Sequence, residues 1–312
     1  MTDLVPSAST ALANLKDRLV GRQRELELVL AALDAGRHVL IEGPPGTGKS
    51  TLLRAVAAEL GVGFEFVEGN VELTPARLVG HFDPARVLAE GYDPDVFVDG
   101  ALVTAMRDGA LLYVEELNRV PEETLNVLIT VMSERELHVP RLGRVLADPG
   151  FRLVAAMNPF DAVGTARISS AVYDRVCRLS VDYQSAPEEQ AIVARAVSTA
   201  DEGWLEKIVE LVRRTRSHPD LRVGSSVRGA LDATAVVASL AALREQPVTT
   251  PSVGLDAILV ALSGRVRLRE GCQRTTEEII TELWGEVFGT THPDPDGSPP
   301  GKAKAPTGAS PG

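Results

Sequence analysis

Cysteine is nearly missing from this chain: its 312 residues include two, Cys177 and Cys272, far apart and without a CxxC spacing. That argues against a disulfide framework and against a thiolate zinc site, and leaves two reduced thiols packed as small apolar groups. Long apolar runs are missing as well. No stretch approaches the ~20 apolar residues of a membrane span, and the first residues, with acidic Asp3, hold no sustained apolar segment, so the expected location is the cytoplasm and no membrane is expected as a partner. Positive charge is in deficit, with 32 Lys and Arg against 43 Asp and Glu and a net charge of -11. Broad attraction to nucleic acid or an anionic membrane is thereby disfavoured, leaving a local basic pore as the route to nucleic acid. Nor is there an internal repeat of fixed period.

What is present is the composition of a soluble globular protein, 44% hydrophobic and 24% charged, long enough for two domains or for one large α/β domain with a helical appendage. Apolar runs at His38–Ile41, Gly63–Val67, Leu111–Val114, Phe151–Met157 and Val176–Val181 read as five buried strands. Helical patterns over Lys49–Leu60, Gly100–Arg107 and Pro121–Arg135 separate them, which predicts an α/β fold with a five-stranded parallel sheet sandwiched by helices. From about Pro187 the strand signals stop, and Glu188–Val197, Trp204–Arg214, Ser226–Leu243 and Ser252–Leu262 predict a smaller helical domain. The expected organisation is a flexible tail over residues 1–14, the α/β domain over 15–186, the helical domain over 187–290 and a flexible Pro/Gly-rich tail over 291–312.

The run Gly43-Pro44-Pro45-Gly46-Thr47-Gly48-Lys49-Ser50-Thr51 has the Walker A spacing, between a predicted strand and a predicted helix. Glycines let backbone N–H groups turn inward around phosphate, and the helix N-terminus adds a positive dipole. Lys49 is expected to reach the β- and γ-phosphates of a nucleotide, and Ser50 to ligate Mg²⁺. Leu111-Leu112-Tyr113-Val114-Glu115-Glu116 ends an apolar strand in two carboxylates, where open parallel sheets place their ligand crevice. By position Glu115 is expected to hold Mg²⁺ through water, and Glu116 to polarise the attacking water. Aspartate is usual at the first of these two positions, and the extra methylene of Glu115 is an argument for slow turnover. Asn158, at the tip of the strand ending Met157-Asn158-Pro159, is expected to position that water or to sense the γ-phosphate.

With these elements in this order, the chain resembles the AAA+ ATPases, and more closely their MoxR-type branch with its NorQ/CbbQ-like activators, over residues 18 to 270. The resemblance rests on Val20-Gly21-Arg22, on Asp99-Gly100-Ala101-Leu102, on the stretch from Gly109 to Arg119, and on Ala156-Met157-Asn158-Pro159. It makes the helical domain a lid. It implies that Arg175 is an arginine finger acting in trans on a neighbouring subunit, and that Arg228 is a sensor on the lid that contacts the γ-phosphate of its own subunit. A finger in trans implies a homo-oligomeric ring, commonly a hexamer. It also identifies residues 80–98 as a helix insert and residues 136–147, with Arg141-Leu142-Gly143-Arg144 at the tip, as a pre-sensor hairpin, both candidates for gripping a client.

The resemblance implies an ATP hydrolase that remodels or activates a client protein complex, with a separate von Willebrand factor A domain protein as partner. ATP over GTP rests on the resemblance alone. Two alternatives remain at this point: a nucleotide-dependent switch or scaffold with negligible turnover, motivated by Glu115, and an NTPase acting on nucleic acid, which the acidic balance disfavours.

Overall fold

A computed structural model describes residues 7–159, 168–197 and 202–289. The chain divides into two compact units at Ile192/Val193, inside the helix Ala186–Ala196 and a few residues beyond the boundary expected from sequence. In chain order the strands are β1 His38–Glu42, β2 Phe64–Glu68, β3 Gly80–Phe82, β4 Phe97–Asp99, β5 Leu111–Glu115, β6 Glu136–Val139, β7 Gly143–Leu146, β8 Arg152–Met157, β9 Val176–Ser180, β10 Leu221–Val223 and β11 Arg267–Leu268.

The five apolar runs of the sequence form one parallel sheet, in the order β2-β5-β8-β1-β9. Alternate residues of its three inner strands serve opposite faces, as the two-residue period of a strand requires. Leu40, Leu112, Val114, Leu153 and Ala155 pack with Leu102, Met106, Leu125 and Leu128 of the helices Ala101–Asp108 and Glu122–Glu134. Val39, Ile41, Leu111, Tyr113 and Val154 pack on the other side with the helices Ala8–Leu15, Gln23–Asp34 and Lys49–Leu60. Each of these leucine, isoleucine, valine and methionine side chains contributes about 1.5–3 kcal/mol by leaving water. Cover on both faces is why these strands read as continuous apolar runs.

The tail expected over residues 1–14 is corrected for its second half. Ala8–Leu15 is a helix whose Ser7 side chain accepts from the Thr10 N–H, and Ala11 and Leu15 are fully buried, a spacing of four that puts both on one helical face. Its small residues disguised that face. Residues 1–6 and the tail expected at 291–312 lie outside the described residues.

The predicted insert is ordered: β3 and β4 pair antiparallel and enclose the helix Pro84–Glu90, whose N-terminus Asp83 caps through its side chain. The predicted hairpin is the antiparallel pair β6–β7, turning through Arg141 at φ 68°.

In the second unit the helices Glu202–Ser217, Val227–Arg244, Pro251–Leu262 and Thr276–Phe288 bury Ile208, Leu211, Ala233, Ile258, Ile279 and Leu283 among others. The expectation that strands cease after Pro187 is corrected by the short antiparallel pair β10–β11. Among the described residues no helix is long and apolar enough to cross a membrane.

Candidate functional site

The phosphate loop leaves the sheet at β1, where it is held from both sides. The Gly43 N–H donates to the Met157 carbonyl of β8, and the Val181 N–H after β9 donates to the Glu42 carbonyl. A Cβ on Gly43 would lie 2.3 Å from the Val181 carbonyl oxygen, so glycine is the residue that lets the loop begin there. Gly46 and Gly48 take φ of 74° and 83°, which turns the loop back into the helix Lys49–Leu60. The Lys49 ammonium lies in the loop and donates to the Gly43 and Pro44 carbonyls at 3.0 and 2.8 Å. Thr47, buried, closes the loop by donating to the Pro44 carbonyl.

Ser50 joins this loop to the acidic strand end. Its hydroxyl donates to Glu115 Oε1 at 3.1 Å and lies 3.2 Å from the Tyr113 hydroxyl. Burial pushes the Tyr113 phenol well above its ordinary range, and the Glu115 carboxylate adds to that, so the group remains a donor. Glu116 has φ 53° and ψ 46°, a left-handed conformation rare outside glycine, and its carboxylate meets Arg119 Nε at 3.0 Å. Gly69, after β2, holds this turn by donating its N–H to the Glu115 carbonyl, and a Cβ there would lie 2.4 Å from the Glu116 carbonyl. Asn158 leaves β8, the strand between β1 and β5, and its carbonyl accepts from the buried Asn118 side chain at 3.4 Å. The loop, both carboxylates and Asn158 therefore share one edge of the sheet.

Two residues at this edge escaped the list of candidates drawn from the sequence. Arg22, 6% exposed, donates to the Thr47 carbonyl through Nε and Nη2, to the Asp182 carbonyl through Nη2, and pairs with Glu25. It clamps the loop to the exit of β9, a role invisible in sequence beyond the Val20-Gly21-Arg22 signature. Glu42, buried at the end of β1, accepts from the Tyr173 hydroxyl at 2.8 Å and from Arg178 Nε at 2.7 Å. An apolar strand ending in one carboxylate was the available signal for it.

Arg175 lies two residues beyond Tyr173, and its guanidinium bonds the Ser133 hydroxyl and, at 2.8 Å, the Ala171 carbonyl of its own chain. Arg228 belongs to the second unit, exposed in the first turn of the helix Val227–Arg244. That turn is anchored where the Ser225 N–H donates to Thr215 and its carbonyl accepts from Arg216. The insert and the hairpin touch: the Arg141 guanidinium lies 3.8 Å from the centre of the Tyr92 ring, which packs edge-on against Phe82.

Among the described residues no group of three or more His, Cys, Asp or Glu side chains is placed to hold a metal ion. The protein thus offers a metal one hydroxyl and one carboxylate, Ser50 and Glu115, side by side at the end of the loop. That share fits Mg²⁺, which keeps waters and takes phosphate oxygens for its remaining positions.

The family model of the AAA domain, dynein-related subfamily, matches residues 38–176. The uncharacterized protein YeaC of Bacillus subtilis (strain 168) is 28% identical over 318 aligned positions, covering 91% of this chain and 95% of that protein. The uncharacterized protein SH1500 of Staphylococcus haemolyticus (strain JCSC1435) is 31% identical over 182 residues, 58% of this chain and 68% of that protein. Among solved structures, the RuvB Holliday junction branch migration motor of Thermotoga maritima has a TM-score of 0.54 at 20% identity, over 78% of this chain and 70% of that one. At that identity the likeness speaks for the fold alone. The matched segment opens on β1 and reaches β9, so it spans the sheet edge where loop and carboxylates meet, and the chain accordingly belongs to the AAA+ ATPases, in their MoxR-like branch.

Proposed function

We propose that this chain hydrolyses ATP at a site completed between subunits of a ring, and uses the cycle to remodel or activate a client protein complex together with a von Willebrand factor A domain partner. The observation that carries the hydrolytic reading is the Ser50–Glu115 hydrogen bond, which ties the phosphate loop to the acidic strand end. Lys49 and the loop N–H groups bind the phosphates, and Ser50 and Glu115 hold Mg²⁺, which when bound neutralises charge on the phosphate oxygens. Glu116 takes the proton of the attacking water, and Asn158 orients that water. Arg228 contacts the γ-phosphate from the lid, and Arg175 stabilises the charge that builds up at the neighbour's nucleotide.

Glu42 supports coupling around such a ring. It immediately precedes the loop and holds Tyr173, two residues from Arg175, so a subunit's own nucleotide loop is bonded to the segment it would lend its neighbour. Arg141 on Tyr92 supports the client-gripping role by making insert and hairpin one surface. The test is mixing: Arg175→Ala and Glu116→Gln proteins, each nearly inactive alone, are combined one to one. A finger in trans restores part of the activity, because some interfaces then hold an intact Glu116 opposite an intact Arg175. Mixtures as inactive as their components refute the shared site.

The Glu116–Arg119 ion pair supports a second reading, a switch that binds ATP but turns over negligibly until a partner releases Glu116. Arg119→Ala raises basal phosphate release under that reading, and leaves or lowers it under the first.

A further inference from the structure

The second unit holds an aromatic cavity that phosphate chemistry does not use. Trp204 and Lys207 of the helix Glu202–Ser217, Val248 and Pro251 from the connection to and the start of the helix Pro251–Leu262, and Trp284 and Phe288 of the helix Thr276–Phe288 line about 250 Å³. Trp284 and Phe288 stack with centroids 3.8 Å apart, Trp204 lies 5.3 Å from Phe288, and the Lys207 ammonium sits 5.4 Å over the Phe288 ring. The tryptophans are seated by Gly254, where a Cβ would come within 2.5 Å of Trp284 and 3.1 Å of Trp204.

The chemistry of these walls narrows the occupant. The volume is below the ~300–1,000 Å³ of whole small-molecule sites, so it suits side chains of a peptide. Trp204 Nε1 donates to Thr234 and Trp284 Nε1 is buried, so the two indoles offer the cavity their apolar ring surfaces. Aromatic-lined grooves are the surface on which proline-rich segments dock, ring on ring. Lys207 at the same wall favours carboxylates beside those prolines.

A segment of that composition begins within reach. The helix Thr276–Phe288 ends at Gly289, and the sequence continues Thr290-Thr291-His292-Pro293-Asp294-Pro295-Asp296. Four residues from Gly289 to Pro293 span at most ~14 Å, and Phe288, one residue before Gly289, is itself a wall of the cavity. A tether this short gives even a weak ligand an effective concentration near the millimolar range. We propose that Pro293-Asp294-Pro295-Asp296 docks in this cavity of its own chain, with prolines against Trp204, Trp284 and Phe288 and carboxylates beside Lys207.

Trp204 and Trp284 are the two tryptophans of the chain, so its indole emission reports on this cavity. The full chain is compared with one ended after Gly289 and with a full-length Pro293→Ser, Pro295→Ser variant, which spares every residue of the helices. The expected result is a red-shifted emission and stronger acrylamide quenching in both altered chains. A synthetic peptide of residues 290–312 should reverse both in the truncated chain saturably, with about fivefold weaker saturation in truncated Lys207→Glu. Equal emission and quenching in full and truncated chains overturns the proposal, as does a change that the peptide fails to reverse. A difference between full and truncated chains that vanishes on dilution also overturns it, because the occupant would then come from a second copy.

Discussion

At the carboxyl edge of the sheet, Arg22, Glu42 and Ser50 each reach two polar partners on other elements, and Lys49 bonds two carbonyls of the loop that it follows. In the second unit, Trp204, Trp284 and Phe288 surround a cavity with apolar faces, with the Lys207 ammonium at its wall. The first arrangement suits a reaction in which charge develops and the surroundings must not reorganise. The second suits an occupant recognised by shape and a few polar groups. The first unit thus carries the charged groups of the phosphate loop, and the second an aromatic cavity for which a peptide occupant is proposed.

The largest effect that sharpens this contrast comes from Lys49→Ala. Loss of a charge-assisted contact worth about 1.5–3 kcal/mol should weaken ATP binding roughly 10- to 100-fold by calorimetry, while indole emission stays unchanged. A parallel change in emission would mean that Lys49 also bears on the aromatic cavity.

Acid should weaken the sheet specifically. His38 in β1 accepts from the Leu153 N–H through Nδ1, and burial, aided by the positive charges of Arg152 and Arg135, lowers its pKa to about 4 against a backbone hydrogen bond to Met132 that works the other way. Above the ordinary His value of 6.5 both states are neutral. Between 6.5 and about 4 the unfolded chain binds a proton that the native one refuses, so stability falls as pH drops through that window, by on the order of 3 kcal/mol. The urea midpoint should fall accordingly from pH 7 to pH 4, and less so in His38→Asn.

Gly254→Ala should cost the second unit about 1–3 kcal/mol of overpacking, partly offset by helix propensity, and shift indole emission with ATP affinity retained. A variant that loses ATP binding instead would break the comparison. Smallest is the Arg141–Tyr92 contact on the exposed loops, where a double-mutant cycle in thermal unfolding should give a coupling of about 0.5–1 kcal/mol.

The sheet was legible because its three inner strands are buried on both faces and the helix after β1 starts at the phosphate loop, so Lys49–Leu60 has the same bounds in sequence and structure. The edge chemistry was legible where it is local: Lys49 and Ser50 follow their glycines, and Glu115 and Glu116 end their strand. Arg22 and Glu42 were not, since their partners Asp182, Tyr173 and Arg178 lie far along the chain. The helix Thr276–Phe288 was missed although its capping box, Thr275 with Glu278, stands in the sequence. The aromatic cavity could not be read, because Trp204 and Trp284 become neighbours only through the packing around Gly254.

The central claim is that the sheet edge hydrolyses ATP, and phosphate release by assembled wild type and Glu116→Gln, with ATP affinity measured on both, tests it most directly. Removing the base that takes the proton of the attacking water should lower release by ~10²–10⁴-fold with affinity within a few fold of wild type. Release by Glu116→Gln as fast as by wild type would contradict the claim.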